Sequence, residues 1–401
     1  MLDVLINPVE LFITLALVFL ATAIFGPVLE RYKIPRLFAP MFLGMLLALA
    51  YPAASQYFSN FTISSVTVDN LAELGMLFLL FLIGYEINAH ELRSIGPKIA
   101  FATVVIIVFD AVVGTLVLYG FGYPLLIAFV AGLSFATVGE AVLLPIIERF
   151  RLLDTNLGKF LVGVGTLDDV FEVFNIVLVS ILIGKRVQLF NWPLILGAIA
   201  SLAILYYLLT RVRSTWRVLG TSEDEVVTTS LFVLFTFSAV GYLVGTEAVG
   251  ALVAGMAVRV FVPAKLRHRV EEFFRELAYR FFGPIFFFWV GVSVDVRGVF
   301  TSPWLTLAIF AASAIAKLLA SYVSTGRELD LKQSILLGVG LMVRFSTGLV
   351  IAQILYSSGL IDVALYSALI SAAALSTVVV PFLFTYLLHR WGMVDTADNL
   401  H

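Results

Sequence analysis

Apolar runs long enough to cross a bilayer recur from one end of this chain to the other. That recurrence constrains the fold more than any motif does. Thirteen stretches qualify, approximately 9–29, 37–53, 69–86, 99–118, 122–147, 160–184, 193–210, 225–244, 247–262, 281–296, 303–325, 333–356 and 363–388. At 1.5 Å rise per residue, about 20 residues cross roughly 30 Å of hydrocarbon, and the shorter stretches cross with help from their flanks. Inside hydrocarbon every backbone N–H and C=O needs an internal partner, which leaves helices and closed barrels. These runs are continuous rather than alternating, so the expected fold is an all-α membrane protein of about thirteen transmembrane helices. Composition agrees. The chain is 61% hydrophobic and 13% charged, where a soluble domain is about half apolar and about a quarter charged.

Several function classes fall away at once. The net charge of −2 gives no electrostatic pull toward nucleic acid. There is no cysteine and no histidine within a span, so a thiolate or imidazole metal site in the membrane is not expected. No soluble regulatory domain fits between the spans. The first run has no Lys or Arg before it and reads as a span rather than a cleaved signal peptide.

Lys and Arg set the expected orientation. Twenty of them lie after the odd-numbered spans or in the tail, three lie on the other side, and Lys317 and Arg344 lie within spans. The positive-inside bias places the crowded side in the cytoplasm, the N-terminus outside and the C-terminus inside. The expected location is the cell (inner) membrane. On the cytoplasmic side, 263–282 is basic and amphipathic, with Leu266, Val270, Phe273, Phe274 and Leu277 at helical spacing, and reads as a surface helix.

Ionisable residues inside spans are costly and therefore informative. Five acids stand there, Asp110, Glu140, Asp168, Asp169 and Glu172, against the bases Lys317 and Arg344. Counted along the helices, Asp168, Lys317 and Glu140 lie about 10–12 Å from the cytoplasmic end, and Asp110 and Arg344 about 16 Å from it. Such a layer marks an ion or proton path. Asp168 can pair with Lys317, and Glu140 with Arg344. Asp169 points about 100° away from Asp168 around the helix. It is left to hold a proton or a mobile cation in turn, which is the cycle of a cation/proton exchanger. Glu172 and Asn175 share the face of Asp168, further outward.

The spans containing "AGLSFATVGEAVLLP" and "GVGLMVRFSTGLV" carry Gly and hydroxyl residues at mid-depth, among them Ser134, Thr137, Ser346 and Thr347. Helices that break in the membrane need such residues, and broken helices in corresponding halves point to a transporter site. Spans four to six and eleven to thirteen enter from opposite sides, as inverted repeats do.

The chain resembles the second monovalent cation:proton antiporter family, which includes NapA-like sodium/proton exchangers and the membrane domains of Kef-type potassium/proton systems. The resemblance runs through "IPRLFAPMFLGMLLA", "LFLLFLIGYEI", "GALVAGMAV", "GPIFFFWVGVSVDV", "AKLLASY", "LSTVVVPFL" and the paired-acid "TLDDV". It implies an NhaA-type fold with two broken helices crossing near the ion site. A core subdomain would comprise mainly 69–184 and 281–388. A scaffold subdomain, mainly 9–53 and 193–262, would form a homodimer, and transport would be elevator-like.

Carried over by position, Asp169 resembles the ion- and proton-binding carboxylate. Asp168 resembles its partner, salt-bridged to Lys317, and Thr137 a supplier of oxygen. Glu140, Arg344, Ser134 and Glu172 would support them. The resemblance implies no cofactor beyond the transported Na+ or K+ and protons, and an electrogenic cycle. Where the family often has Gly-Glu after Arg344, this chain has Phe345 and Ser346, and it carries Glu140 and Glu172 where the family does not. An acid exchanged between crossing helices to keep Arg344 paired would account for the first two departures. Three other readings stand beside this one. A Kef-type K+/H+ antiporter or an organic-anion/Na+ symporter would use the same fold, and an ion channel would have no saturable exchange. An intramembrane aspartyl protease needs two facing carboxylates, which adjacent residues on one helix do not supply.

Overall fold

A computed structural model describes residues 8–54, 66–87, 95–139, 144, 146, 147, 150–153, 155–186, 207, 222–242, 247–301, 303–344 and 346–393. The described residues are helical almost throughout. In chain order the helices are α1 (Pro8–Arg31), α2 (Phe38–Ala54), α3 (Val66–Glu86), α4 (Pro97–Gly120), α5 (Leu125–Ala136), α6 (Asn156–Arg186), α7 (Glu223–Tyr242), α8 (Glu247–Phe261) and α9 (Arg267–Glu276). A π-helical segment, Leu277–Phe282, leads into α10 (Gly283–Val292). Then follow α11 (Val296–Thr301), α12 (Trp304–Thr325), α13 (Leu331–Gly340), α14 (Ser346–Ser357) and α15 (Val363–Arg390). Six of the described helices are long and apolar enough to cross a membrane: α1, α3, α4, α7, α12 and α15. The expected span at 193–210 lies, except for Tyr207, outside the described residues.

The helices gather into two bundles. In the first, α3 packs most extensively on α8 and α10, α2 on α10, and α7 on α8, with α1 on the outside of α2. In the second, α4 is wedged between α5 and α12, α12 packs on α13 and α15, and α6 touches α4, α5, α13 and α14. Smaller contacts join the bundles, α11 to α15, α8 to α6 and α14 to α3. The resemblance implies a core that includes 69–86 and 281–296. As α3 and α10, they find their main partners in the first bundle.

Glycines explain why those pairs sit so close. In lipid there is little hydrophobic drive between helices, so association relies on van der Waals contact and favours small residues at the crossings. A Cβ on Gly255 of α8 would fall 2.0 Å from the Phe81 carbonyl oxygen of α3, and one on Gly84 of α3 would fall 2.1 Å from the Leu252 oxygen of α8. The α2–α10 crossing repeats the device. Gly44 faces the Phe288 oxygen at 2.3 Å, and Gly291 the Met41 oxygen at 2.1 Å. Only hydrogen fits at these four positions.

The outer surface is apolar where lipid would lie. Phe12, Leu20, Ile24 and Phe25 of α1 are exposed, as are Phe101, Val108 and Leu116 of α4. The basic surface helix takes form as α9, but its apolar face meets protein. Val270 and Phe274 are buried, and the Phe274 ring lies 4.3 Å from that of Phe81 on α3. Arg275 bonds Glu86 at 2.8 Å, and the Tyr85 hydroxyl donates to the Arg267 carbonyl at 3.0 Å.

Candidate functional site

The site forms where two helices stop inside the second bundle. α5 ends at Ala136, and Thr137 is extended, with φ −61° and ψ 147°. Residues 137–139 continue without helix. α13 ends at Gly340, and residues 341–344 are likewise non-helical before α14 begins at Ser346. The two non-helical segments touch, the Gly139 N–H donating to the Val343 carbonyl at 2.7 Å.

A helix end in hydrocarbon leaves carbonyls that need donors, and side chains of this bundle supply them. Ser134 donates to the Ala131 carbonyl at 2.6 Å, and Thr137 Oγ1 to the Ser134 carbonyl at 3.0 Å. Thr377 Oγ1 donates to the Arg344 carbonyl at 2.6 Å, and the Arg344 N–H donates to Ser376 Oγ at 3.3 Å. The largest share falls to Lys317. Its Nζ donates to the Thr137 carbonyl at 3.0 Å and to the Leu341 carbonyl at 2.7 Å. One ammonium thus ties the C-terminal end of α5 to that of α13, where the helix dipoles concentrate negative charge.

An ammonium has three protons, and the third side of Lys317 faces Asp110. Lys317 Nζ lies 3.5 Å from Asp110 Oδ2, with both side chains fully buried. Ser313, one turn before Lys317 on α12, donates to the same oxygen at 3.0 Å. The expected Asp168–Lys317 pair is not in direct ion-pair contact in this structure, though the two charges remain electrostatic neighbours. The acid in ion-pair contact with Lys317 is Asp110 of α4, because α4 and α12 pack along their length. Asp168 instead accepts the Val138 N–H on Oδ2 at 2.6 Å. That N–H belongs to the extended stretch after α5, where no helical carbonyl is available to it.

Asp169, next along α6, is partly exposed. No described residue gives it a hydrogen bond or an ion pair, and its charged neighbour is Glu86 at the end of α3. The structure thus separates the adjacent acids by role of contact, one tied to backbone and one open. Thr137 lies within this group. Its hydroxyl keeps its lone pairs and sits against α14, 2.8 Å from where a Cβ on Gly348 would be. Ser134 and Arg344 line one small cavity with Gly348, of about 10 Å³, the size of a single water. Glu140 lies outside the described residues, and so does its expected pairing with Arg344. Glu172 and Asn175 are buried further along α6, and neither polar atom of the Asn175 amide has a hydrogen-bond partner among the described residues.

The member of the site that sequence reasoning did not assign is Asp110. Depth counting sets it about 4 Å from the Lys317 layer, less than one helical turn. The available signal was Ser313, which shares one face of α12 with Lys317 and is a hydroxyl where an apolar residue would serve packing.

The family model for "Sodium/hydrogen exchanger, transmembrane" matches residues 16–390. The chain is 24% identical over 404 residues to the Na(+)/H(+)-K(+) antiporter GerN of Bacillus cereus, covering 97% of this chain and 98% of that protein. It is 28% identical over 344 residues to the high-affinity Na(+)/H(+) antiporter NhaS3 of Synechocystis sp., covering 82% of this chain and 73% of that protein. Among solved structures, that of the sodium proton antiporter MjNhaP1 from Methanocaldococcus jannaschii superposes with a TM-score of 0.60 at 14% identity, over 96% of this chain and 97% of that one. That likeness is one of fold.

Proposed function

The chain belongs to the sodium/hydrogen exchanger transmembrane family and is a monovalent cation/proton antiporter; from that premise we propose that it exchanges Na+ for protons, with Asp169 as the carboxylate that binds each in turn. The observation that carries this reading is the difference between the two adjacent acids. Asp168 is held by the Val138 N–H, Lys317 is held by Asp110 and two carbonyls, and Asp169 has no described partner. A carboxylate that must trade a proton for a cation cannot be committed to a fixed base.

The cation-binding oxygens in this proposal are the Asp169 carboxylate, the unbonded Oδ1 of Asp168 and the Thr137 hydroxyl, a hard-oxygen set suited to a small alkali ion. The Thr137 and Leu341 carbonyls are taken by Lys317 and stay out of the shell. Binding of Na+ displaces protons from Asp169 and Asp168, so the cycle is electrogenic. The segments at 137–139 and 341–344 act as the breaks of two crossing helices. The second bundle travels against the first, which serves as scaffold and homodimer platform, and the face bearing the C-terminal ends of α1 and α15 is cytoplasmic. K+ is the second reading, supported by the dual-ion name of GerN.

Proteoliposomes with a trapped pH dye test the assignment. Na+, Li+ and K+ are stepped outside in turn, with and without a clamped voltage. Asp169→Asn should abolish cation-driven pH change. Full activity in that variant would end the assignment, and rates insensitive to voltage would end the electrogenic cycle.

A further inference from the structure

A groove of about 410 Å³ opens between the C-terminal end of α1 and the last turns of α15. It plays no part in the ion site. It is polar at one end and apolar at the other. Arg31, Lys33 and His389 line the end nearest the helix termini, where Phe150 also lies against His389, and Pro381 and Phe382 line it further along α15. Pro381 is nine residues before Arg390, the end of α15, so the groove runs about 13 Å toward the bilayer interior. The acid beside the bases in sequence, Glu30, is taken by Arg36 at 2.9 Å. No described carboxylate pairs with Arg31 or Lys33. His389 Nδ1 is buried and has no hydrogen-bond partner among the described residues, its ring edge-on to Phe150 at 5.4 Å.

We propose that this groove binds one anionic phospholipid of the surrounding leaflet, its phosphate on Arg31, Lys33 and His389 and an acyl chain along Phe382 and Pro381. The polarity gradient is that of a lipid standing in its own leaflet. Bases at the headgroup level attract anionic lipid, and the groove takes the headgroup with part of one acyl chain, the rest of the lipid staying in the leaflet. α1 belongs to the first bundle and α15 to the second, with Tyr32 and Phe382 touching across the gap at 6.1 Å between ring centroids. A lipid seated there bears on both bundles. Its effect on exchange rate rests on the proposed movement between them, whereas its binding does not.

The test is native mass spectrometry of the full chain in detergent, titrated separately with phosphatidylglycerol, phosphatidylcholine and inorganic phosphate. One tightly held phosphatidylglycerol per chain is expected, bound at least tenfold tighter than phosphatidylcholine. Arg31→Gln with Lys33→Asn should weaken it roughly thirtyfold, at about 1 kcal/mol per base near the surface. Asparagine suits the left-handed backbone of Lys33, whose φ is 63°. Thr385→Trp, which fills the groove without altering its charge, should remove the site, and Arg327→Gln with Lys332→Gln, elsewhere on the same face, should leave it. Equal binding of the two lipids overturns the proposal. So does an equal loss in the Arg327/Lys332 variant, or retention after Thr385→Trp. Displacement by inorganic phosphate at equal concentration would assign the bases to a free anion and overturn the lipid. If the double variant does not fold, the Thr385→Trp result decides.

Discussion

Removing the charge of Asp110 tests the geometry of the site most directly. Unit charges 3.5 Å apart attract by about 4.7 kcal/mol at an effective dielectric of about 20. The two carbonyls bonded to Lys317 remain, and an asparagine oxygen can still accept from Ser313, so Asp110→Asn should lose about 3 kcal/mol of stability. A double-mutant cycle separates the pair from the single effects. Lys317→Met removes the cation while keeping much of the chain volume, and in that background Asp110→Asn should cost far less. The coupling between the sites should reach about 2–3 kcal/mol. Unfolding in mixed detergent micelles, followed through the fluorescence of the chain's five tryptophans, measures each corner. The same cycle on Asp168 and Lys317 is the control. It should give clearly weaker coupling, because Asp168 is bonded to the Val138 N–H. A stronger Asp168–Lys317 coupling than Asp110–Lys317 coupling would refute the pairing described here.

Two further outcomes follow from the packing. Gly255→Ala places a methyl 2.0 Å from the Phe81 oxygen and should lower stability by about 1–3 kcal/mol in the same assay; Gly120→Ala, with open space around it, should not. Thr377→Val removes the hydroxyl that satisfies the Arg344 carbonyl at 2.6 Å and should cost about 1–3 kcal/mol, where Thr377→Ser restores most of the loss.

The sequence makes some of this visible and hides the rest for physical reasons. Hydropathy reports which segments belong in lipid, and counting along the helices shows which ionisable residues share a depth, Asp168 and Lys317 among them. α5 and α13 end at Ala136 and Gly340, within Gly- and hydroxyl-rich stretches. Lateral neighbours are another matter. Nothing in a count of residues says that α4 lies against α12 and brings Asp110 to 3.5 Å from Lys317. Gly84 of α3 and Gly255 of α8 each mark a face shaped for a partner backbone, but a small residue does not name its partner.

The tie that Lys317 makes between the Thr137 and Leu341 carbonyls has a thermodynamic consequence. Two helix ends that share one ammonium lose their donor together, so removing the Lys317 side chain leaves two buried carbonyls unsatisfied at once and couples the stability of α5 to that of α13.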